Sequence, residues 1–189
     1  MMLYTIEHRV RKLVWMMRGA LLTLYLRVHG CSVGRSLKCK QWPVFRQIPR
    51  DNITLGDAVT IGYRVTLDVM PGASLEIASH VNLTQDVLVS CASSVSIGEY
   101  SGIGEFSSVR DSEHGYSRSG IIHAQQGRSE PIHIGSDVQV SRGCTVLLGA
   151  RLEHGSILGV NSVITAKTKT VEYGIYMGVP AKFIGMRIE

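Results

Sequence analysis

The segment Asp-Ser-Glu-His-Gly-Tyr at residues 111–116 contains the side chains that proton transfer requires. His114 lies between two carboxylates, Asp111 and Glu113, and histidine accepts a proton near neutral pH. Such a base activates a hydroxyl group, because an alcohol is a poor nucleophile until its proton is removed during attack. His114 is therefore the candidate general base. A nearby carboxylate, with Asp111 as the candidate, or a backbone carbonyl would fix its tautomer.

The four cysteines indicate neither a metal module nor a disulfide scaffold, since they form no CxxC pair and no closely spaced set. This pattern favours a reducing compartment, and no signal-peptide cleavage site follows the first apolar stretch. We therefore expect a cytoplasmic protein.

The elements that must position these residues follow from a repeat. From residue 55 an aliphatic residue recurs every six positions, a small residue often follows it, and the residue four places on is small or β-branched. Helical and strand periods do not explain this pattern, whereas a chain that turns after every flat face does, with three faces making a triangular coil of about eighteen residues. The aliphatic residue and its i+4 partner would point inward, and glycine would relieve the corner. The aliphatic positions are Leu55, Ile61, Leu67, Ile77, Leu83, Val89, Ile97, Ile103, Val109, Ile134, Val140, Val146, Leu152, Leu158 and Ile164.

The repeat is interrupted by a polar segment, residues 110–131, which should loop out of the coil. A regular prism has no pocket of its own, but an extruded loop beside a flat wall creates one. His114 lies in this loop. His123 and Tyr116, also in the loop, and Gln85, in the repeat, are the candidate residues for binding the substrate.

Units such as Leu-Gly-Asp-Ala-Val-Thr at 55–60 and Ile-Gly-Glu-Tyr-Ser-Gly at 97–102 resemble the hexapeptide-repeat transferases. The most specific part is the run at 134–167, followed by Gly-Val-Pro-Ala-Lys at 178–182, which resembles the acetyl-CoA-binding end of bacterial polysaccharide O-acetyltransferases. The resemblance covers residues 51–189. It implies an all-β fold, a left-handed parallel β-helix shaped as a triangular prism, with an N-terminal amphipathic α-helix and an extruded catalytic loop.

On this basis the chain divides into three segments. Residues 1–50 form a basic amphipathic helix and a degenerate first coil, residues 51–170 form the β-helix with its loop at 110–131, and residues 171–189 form a C-terminal tail.

The resemblance also implies a homotrimer in which acetyl-CoA lies in a groove between neighbouring prisms, with its thioester near the histidine. The family's catalytic histidine stands in an Asp-x-x-His stretch, which matches Asp111 and His114. Ser141 would offer its backbone N–H to the oxyanion, and the lysines would meet the coenzyme phosphates. The matching donor-site positions are Ser141, Gly159, Val160, Thr165, Lys167 and Lys182.

Two positions depart from the family pattern. Gln139 stands where the family usually has tryptophan, which alters the expected geometry beside the acceptor. Ala166 stands where the family often has lysine directly after the threonine, with Lys167 one place later, which weakens that expected contact with the donor.

Residues 1–28 have a different character. Apolar residues at helical spacing predict one apolar face, and residues 1–50 hold ten Lys or Arg and one acid, a net charge of +9 against −4 for the remainder. The weakly charged run from 13 to 26 has 14 residues and is too short for a bilayer, which needs about 20. The helix either caps the open prism or lies in an anionic membrane surface. The predicted apolar face consists of Leu3, Ile6, Val10, Leu13, Val14, Met17, Leu21, Leu24 and Val28.

The sequence thus predicts a cytoplasmic acetyl-CoA-dependent O-acetyltransferase that acts on a sugar hydroxyl of a surface polysaccharide or its precursor. If the helix binds lipid, the enzyme is peripheral on the inner face of the membrane. No metal and no nucleic-acid partner is expected. The alternatives are N-acetylation of an amino sugar, and a non-catalytic β-helix scaffold or carbohydrate-binding protein. Zinc-dependent hydration of carbon dioxide also uses such a prism, but the histidine spacings do not assemble its three metal ligands.

Overall fold

A computed structural model describes the backbone of residues 2–188 and the side chains of residues 5–188. Met1 and Glu189, at the ends of the predicted segments, and the side chain of Leu3, in the predicted apolar face, lie outside that description. An N-terminal helix, α1 (Met2–Val28), precedes a triangular solenoid whose three faces are parallel sheets.

Each sheet collects one strand from every successive coil, so neighbours in a sheet are three strands apart along the chain through the regular part of the solenoid. The ladders between coils are parallel, which satisfies the backbone groups of each coil on its neighbours. Sheet 1 contains β1 (Ser32–Val33), β4 (Ile53–Leu55), β7 (Ser74–Ile77), β10 (Ser94–Ile97), β15 (Ile132–Ile134) and β18 (Arg151–Leu152). Sheet 2 contains β2 (Lys38–Cys39), β5 (Thr60–Ile61), β8 (Asn82–Leu83), β11 (Gly102–Ile103), β16 (Gln139–Val140), β19 (Ile157–Leu158), β21 (Gly174–Gly178) and β22 (Ala181–Met186). Sheet 3 contains β3 (Val44–Phe45), β6 (Thr66–Val69), β9 (Leu88–Cys91), β12 (Ser108–Arg110), β17 (Thr145–Leu147) and β20 (Val163–Ile164).

The coils are not all eighteen residues long, the length that the repeat predicted. The extra residues lie between sheet 3 and the next strand of sheet 1, so insertions accumulate along one edge of the prism, and the largest of them is the loop between β12 and β15. Along sheet 1 the coils take 22, 22, 20, 37 and 18 residues, from the pairs Ser32–Thr54, Leu55–Ile77, Ser74–Ser94, Val95–Ile132 and His133–Arg151.

The interior follows the repeat. All fifteen aliphatic positions predicted to point inward are buried, and with their apolar i+4 partners they form one continuous core. Burying each of these aliphatic side chains contributes about 1.5–3 kcal/mol relative to exposing it. Where a serine replaces an apolar i+4 residue, as at Ser101, its hydroxyl donates to the Gly135 carbonyl and accepts from the Val138 N–H. Both hydrogen-bonding functions of this buried hydroxyl are therefore used within the core.

The corner glycines act differently from the prediction. At Gly104 an added Cβ would lie 2.6 Å from the backbone of Ser141 and Arg142 on the next coil, so the small residue permits close stacking of coils. The left-handed turn is made two residues later, at Phe106, with φ of 60°. Asp86 has the same role on the preceding coil, with φ of 57°. Relief of backbone strain is thus not the main reason for glycine after the aliphatic residue.

Helix α1 packs on the first coil through Gly19, Leu22 and Leu26, which are buried. Gly19 directly faces the Leu37 carbonyl, where any side chain would collide with the backbone. The helix thus covers the first coil with a face other than the predicted apolar one, whose residues Leu13 and Leu24 are 59% and 62% exposed. Among residues 2–188 no helix has the length and apolar character needed to cross a membrane.

Two smaller elements complete the fold. A short antiparallel pair, β13 (Ser112–Glu113) and β14 (Arg128–Ser129), closes the base of the extruded loop, which also contains a single 3₁₀ turn at Ile122–Ala124. At the C-terminal end β22 folds back antiparallel on β21, and the fully buried Tyr176 packs edge-on against Phe183.

Candidate active site

The extruded loop and sheet 3 enclose a cavity of about 760 Å³. It opens where β12 leaves the prism, so the loop forms one wall and the strand ends form the other. We call this the histidine cavity. It is lined by Ala92, Arg110, Ser112, Glu113, His114, Gly127, Arg128, Ser129, Leu147 and Leu148.

The loop that carries His114 is held at its base and within itself. Glu113 of β13 pairs with Arg128 of β14 through a 2.6 Å ion pair. Farther out, the Gln125 side chain accepts from the Ser117 N–H at 2.7 Å and donates to the carbonyls of Ser117 and Gly120, both at 2.8 Å. These contacts order a segment that sequence analysis treated only as polar.

The ring of His114 is exposed to the cavity and meets the ring of His123, with centroids 5.6 Å apart and planes at 82°. Within the described part of the chain His114 makes no hydrogen bond, so neither ring nitrogen is occupied. His123 thus lies beside the candidate base, but it is absent from the residues that line either cavity. Tyr116 is 69% exposed and is absent from the residues that line the cavity.

Asp111 is not the partner of His114. Its carboxylate is fully buried and accepts 2.7 Å hydrogen bonds from the backbone N–H groups of Ala92 and Ser93, on the preceding coil. Each oxygen is therefore used to fix the turn after β9. The role expected for Asp111 is corrected to a structural one, and the tautomer of His114 is not set by this carboxylate.

A second cavity of about 620 Å³ adjoins the first. The two share Glu113, Arg128, Leu147 and Leu148, so they lie side by side along this edge of the prism, and we call the pair the groove. We call the second cavity the lysine cavity. Its other lining residues are Glu130, Thr165, Ala166, Lys167, Thr168, Pro180 and Ala181.

Two of the expected donor-site residues therefore share a groove with His114, namely Thr165 and Lys167. Lys182 is exposed on β22 next to Ala181, just outside the lining of the lysine cavity. The Lys167 N–H donates to the Thr165 hydroxyl at 3.3 Å, which orders the turn that presents both residues.

The remaining candidates lie elsewhere in one copy of the chain. Ser141, Gly159, Val160 and Gln85 follow strands of sheet 2, so they stand at the edge between sheets 2 and 3. The groove with His114 stands at the edge between sheets 3 and 1. We call these the 2–3 edge and the 3–1 edge.

The predicted role of the Ser141 N–H is also corrected. This N–H donates to the Leu158 carbonyl at 2.9 Å as part of the ladder between coils, so it has no capacity left for an oxyanion. Gln139, in place of the family tryptophan, lies over Gly102 of the preceding coil and donates to the Val140 carbonyl.

Arg110 is a residue of the site that sequence analysis missed. This half-buried residue lines the histidine cavity, and its side chain forms no hydrogen bond or ion pair within the described residues. Its neighbour Arg128, by contrast, is bound to Glu113. The available signal was positional: Arg110 is the last residue of β12, directly before the loop. An unpaired cation in this position favours an anionic group on a ligand.

No cysteine lines either cavity. Burial raises the pKa of Cys91 to about 12 and that of Cys39 to about 11, and both thiols are buried in the prism. Among the residues the structure describes, no three His, Cys, Asp or Glu side chains are grouped to hold a metal ion.

Comparison with known proteins identifies the fold. No protein-family model matches the sequence, and a search of curated proteins gives no match. The N-acyltransferase AntD from Bacillus cereus, in complex with dTDP and 3-hydroxybutyryl-CoA, superposes with a TM-score of 0.73 at 14% identity over 86% of this chain and 87% of AntD. The hexapeptide-repeat acetyltransferase VCA0836 from Vibrio cholerae, complexed with acetyl-CoA, gives a TM-score of 0.61 at 18% identity over 71% of each chain. The predicted left-handed parallel β-helix is thus confirmed.

Proposed function

We propose that the protein is an acetyl-CoA-dependent O-acetyltransferase that acts on a sugar hydroxyl of a surface polysaccharide or its precursor. The observation that carries this proposal is that the two cavities adjoin, with His114 in the lining of one and Lys167 in the lining of the other. A base at one end suits an alcohol acceptor, and a cation at the other suits a phosphorylated donor. The structural similarity to acyltransferases with bound coenzyme A or acetyl-CoA supports the acyl-transfer part of this proposal.

The proposed reaction is a direct transfer. His114 removes the hydroxyl proton while the sugar oxygen attacks the thioester carbonyl, and collapse of the tetrahedral intermediate expels the thiolate of coenzyme A. The proton on His114 then passes to that thiolate. No acetyl-enzyme is formed, in keeping with the absence of cysteine from the lining of both cavities.

The oxyanion needs a donor other than the Ser141 N–H. Leu148 lines both cavities where they meet, and its backbone N–H makes no hydrogen bond within the described residues. We assign this N–H as the candidate donor, because a fixed backbone dipole at the reacting centre stabilises the developing charge.

We further propose a homotrimer. The donor-site candidates lie on two edges of the prism, with Thr165 and Lys167 beside His114, and with Ser141, Gly159 and Val160 on the 2–3 edge. One copy cannot present both edges to a single ligand, because sheet 3 lies between them. Two neighbouring copies can, if the 3–1 edge of one faces the 2–3 edge of the next.

The proposed place of action is the cytoplasmic side of a membrane. The net charge of +9 in residues 1–50 would attract anionic lipid, and a membrane position would bring the site to an acceptor carried on a lipid.

Transfer to an amino sugar is the second candidate, because AntD is an N-acyltransferase whose structures include dTDP-4-amino-4,6-dideoxyglucose. The two reactions differ in how strongly they depend on His114, since an amine needs less help from a base than a hydroxyl does.

The test measures the release of free coenzyme A thiol from acetyl-CoA. Neutral, amino and uronic sugars and their nucleotide derivatives are compared as acceptors. O-acetylation predicts turnover with a hydroxyl acceptor that has no amine. Turnover only with amino sugars favours the second candidate. Acetyl-CoA at 100 times its Kd should stabilise the protein by about 2.7 kcal/mol. No stabilisation together with no turnover would leave a non-catalytic β-helix.

A further inference from the structure

Helix α1 is apolar on two opposite sides. One side, with Gly19, Leu22 and Leu26, is buried against the first coil. The other side points away from the prism, and its side chains are between 50% and 74% exposed. We call this second side the outer stripe. It consists of Ile6, Val10, Leu13, Met17, Leu21, Leu24 and Val28.

The outer stripe is continuous. Its members are spaced by three or four residues, which places them in one row along a helix of 3.6 residues per turn. From Ile6 to Val28 the row is about 33 Å long at a rise of 1.5 Å per residue. An apolar row of this length on a helix otherwise bound to its own prism is more than the scatter of exposed apolar residues found on a monomer.

Cations border the stripe on both sides. At 3.6 residues per turn, Arg9 and Arg27 lie along one border and Arg11 and Arg18 along the other. All four are exposed, and one acid, Glu7, shares the helix surface through its ion pair with Arg11. The guanidinium groups of Arg18 and Arg27 donate to backbone carbonyls of the first coil, so these two charges are held on the prism side of the stripe. Arg9 can lay its apolar stem beside the stripe and place its charge at the margin.

We propose that the outer stripe is a docking surface for an anionic lipid bilayer, with α1 lying flat in the interface and the prism held in water on its other side. An interfacial helix has this arrangement, with an apolar face bordered by Lys and Arg. The charge favours lipid over a second copy, because pairing two stripes would bring together two ends that each carry +9. Covering the first coil and binding membrane therefore use different residues of one helix.

The proposal rests on the proposed function only for its place of action, and it is tested without acetyl-CoA. The full chain is mixed with vesicles of phosphatidylcholine alone or with 30% phosphatidylserine, each at low and high salt. The test variant is Leu13→Glu/Leu24→Glu, since both side chains are exposed and far from the buried side of the helix. The matched control is Ile184→Glu/Ile188→Glu, which adds the same charge at residues that are 57% and 95% exposed near the other end of the chain.

We expect co-sedimentation with the anionic vesicles that weakens with salt, a loss of at least about tenfold in the test variant, and little change in the control. Arg9→Gln should weaken binding about fivefold. Acetyl transfer to a soluble acceptor should be unchanged in both double variants. Failure of the wild type to bind anionic vesicles at low salt would overturn the proposal. The proposal would also be overturned if the test variant still bound lipid but had a different oligomeric mass from the wild type by light scattering. The stripe would then be a contact between copies of the chain. Loss of acetyl transfer with intact vesicle binding would remove the proposed function alone.

Discussion

The ring of His123 meets the ring of His114 edge-on at a centroid distance of 5.6 Å, while no carboxylate is hydrogen-bonded to either ring within the described part of the chain. The candidate base is therefore accompanied by a second imidazole instead of the acid that the sequence suggested. In this arrangement His123 can orient His114 by packing, and either nitrogen of His114 stays free for the acceptor hydroxyl.

Replacing His114 by alanine should lower kcat by about 10²- to 10⁴-fold, the usual contribution of a general base. The fold should survive, because the residue is exposed in a loop outside the prism. Steady-state kinetics with thermal unfolding provides the measurement, and His80→Ala is the control, an exposed histidine stacked on Tyr100 at another edge. Near-wild-type turnover in His114→Ala would exclude this residue as the base, and His123→Ala would then be tested for the role.

Replacing Asp111 by asparagine should act on stability and not on the pH profile of the reaction. The carboxylate accepts from two backbone N–H groups, and an asparagine NH₂ group would face one of them. We expect a loss of about 1.5–3 kcal/mol in the free energy of unfolding, the range for hydrogen bonds to a charged group. Denaturant melts and a pH–rate profile at saturating substrate separate the two effects. A shifted profile with unchanged stability would restore Asp111 to the chemistry.

Replacing Lys167 by glutamine should weaken the binding of acetyl-CoA several-fold and leave kcat near its original value. Lys167 lines the lysine cavity, whereas Lys169 lines an adjoining hollow that shares Ala166 and Thr168 with the lysine cavity but no residue with the histidine cavity. Lys169→Gln is therefore a control of equal charge. Isothermal titration at two salt concentrations should show that the effect of Lys167→Gln shrinks as salt screens the phosphates. Equal effects of the two variants would indicate a general effect of positive charge, without a specific contact between Lys167 and the coenzyme.

The period of six could be predicted from the sequence because burial acts on every coil in the same way. Val109 and Ile134 obey it on either side of the extruded loop, and both are buried. The partners of Asp111 could not be found in this way, since Ala92 and Ser93 reach it only through the stacking of coils. The hydrogen bond of the Ser141 N–H could have been predicted, because a parallel ladder uses the N–H groups of repeat residues. The unpaired state of Arg110 depends on the loop geometry, which has no period.

The buried thiols predict an alkaline limit to stability. The pKa of Cys91 is raised from 9.0 to about 12, first by burial and then by the nearby charge of Asp111. The unfolded chain thus releases this proton at a lower pH than the folded chain does, so stability is full below pH 9 and falls as the pH rises toward 12. Denaturation midpoints measured from pH 8 to 11 should decrease less in Cys91→Ala than in the wild type. Native protein should react slowly with a thiol reagent at pH 8, and fast reaction would contradict the burial.

Mixing two inactive variants should restore activity if each site is built from two copies. One variant is His114→Ala, which removes the base from the 3–1 edge, and the other is Val160→Trp, which blocks the 2–3 edge at a residue that is 54% exposed. After the variants are mixed, reversibly dissociated and reassembled in equal amounts, about one quarter of the sites should pair an intact His114 edge with an intact Val160 edge. Light scattering should give the trimer mass before and after mixing. If both edges of a site came from one copy, each site would keep its own defect and the mixture would stay as inactive as its components. A monomer that turns over acetyl-CoA would exclude the shared site outright.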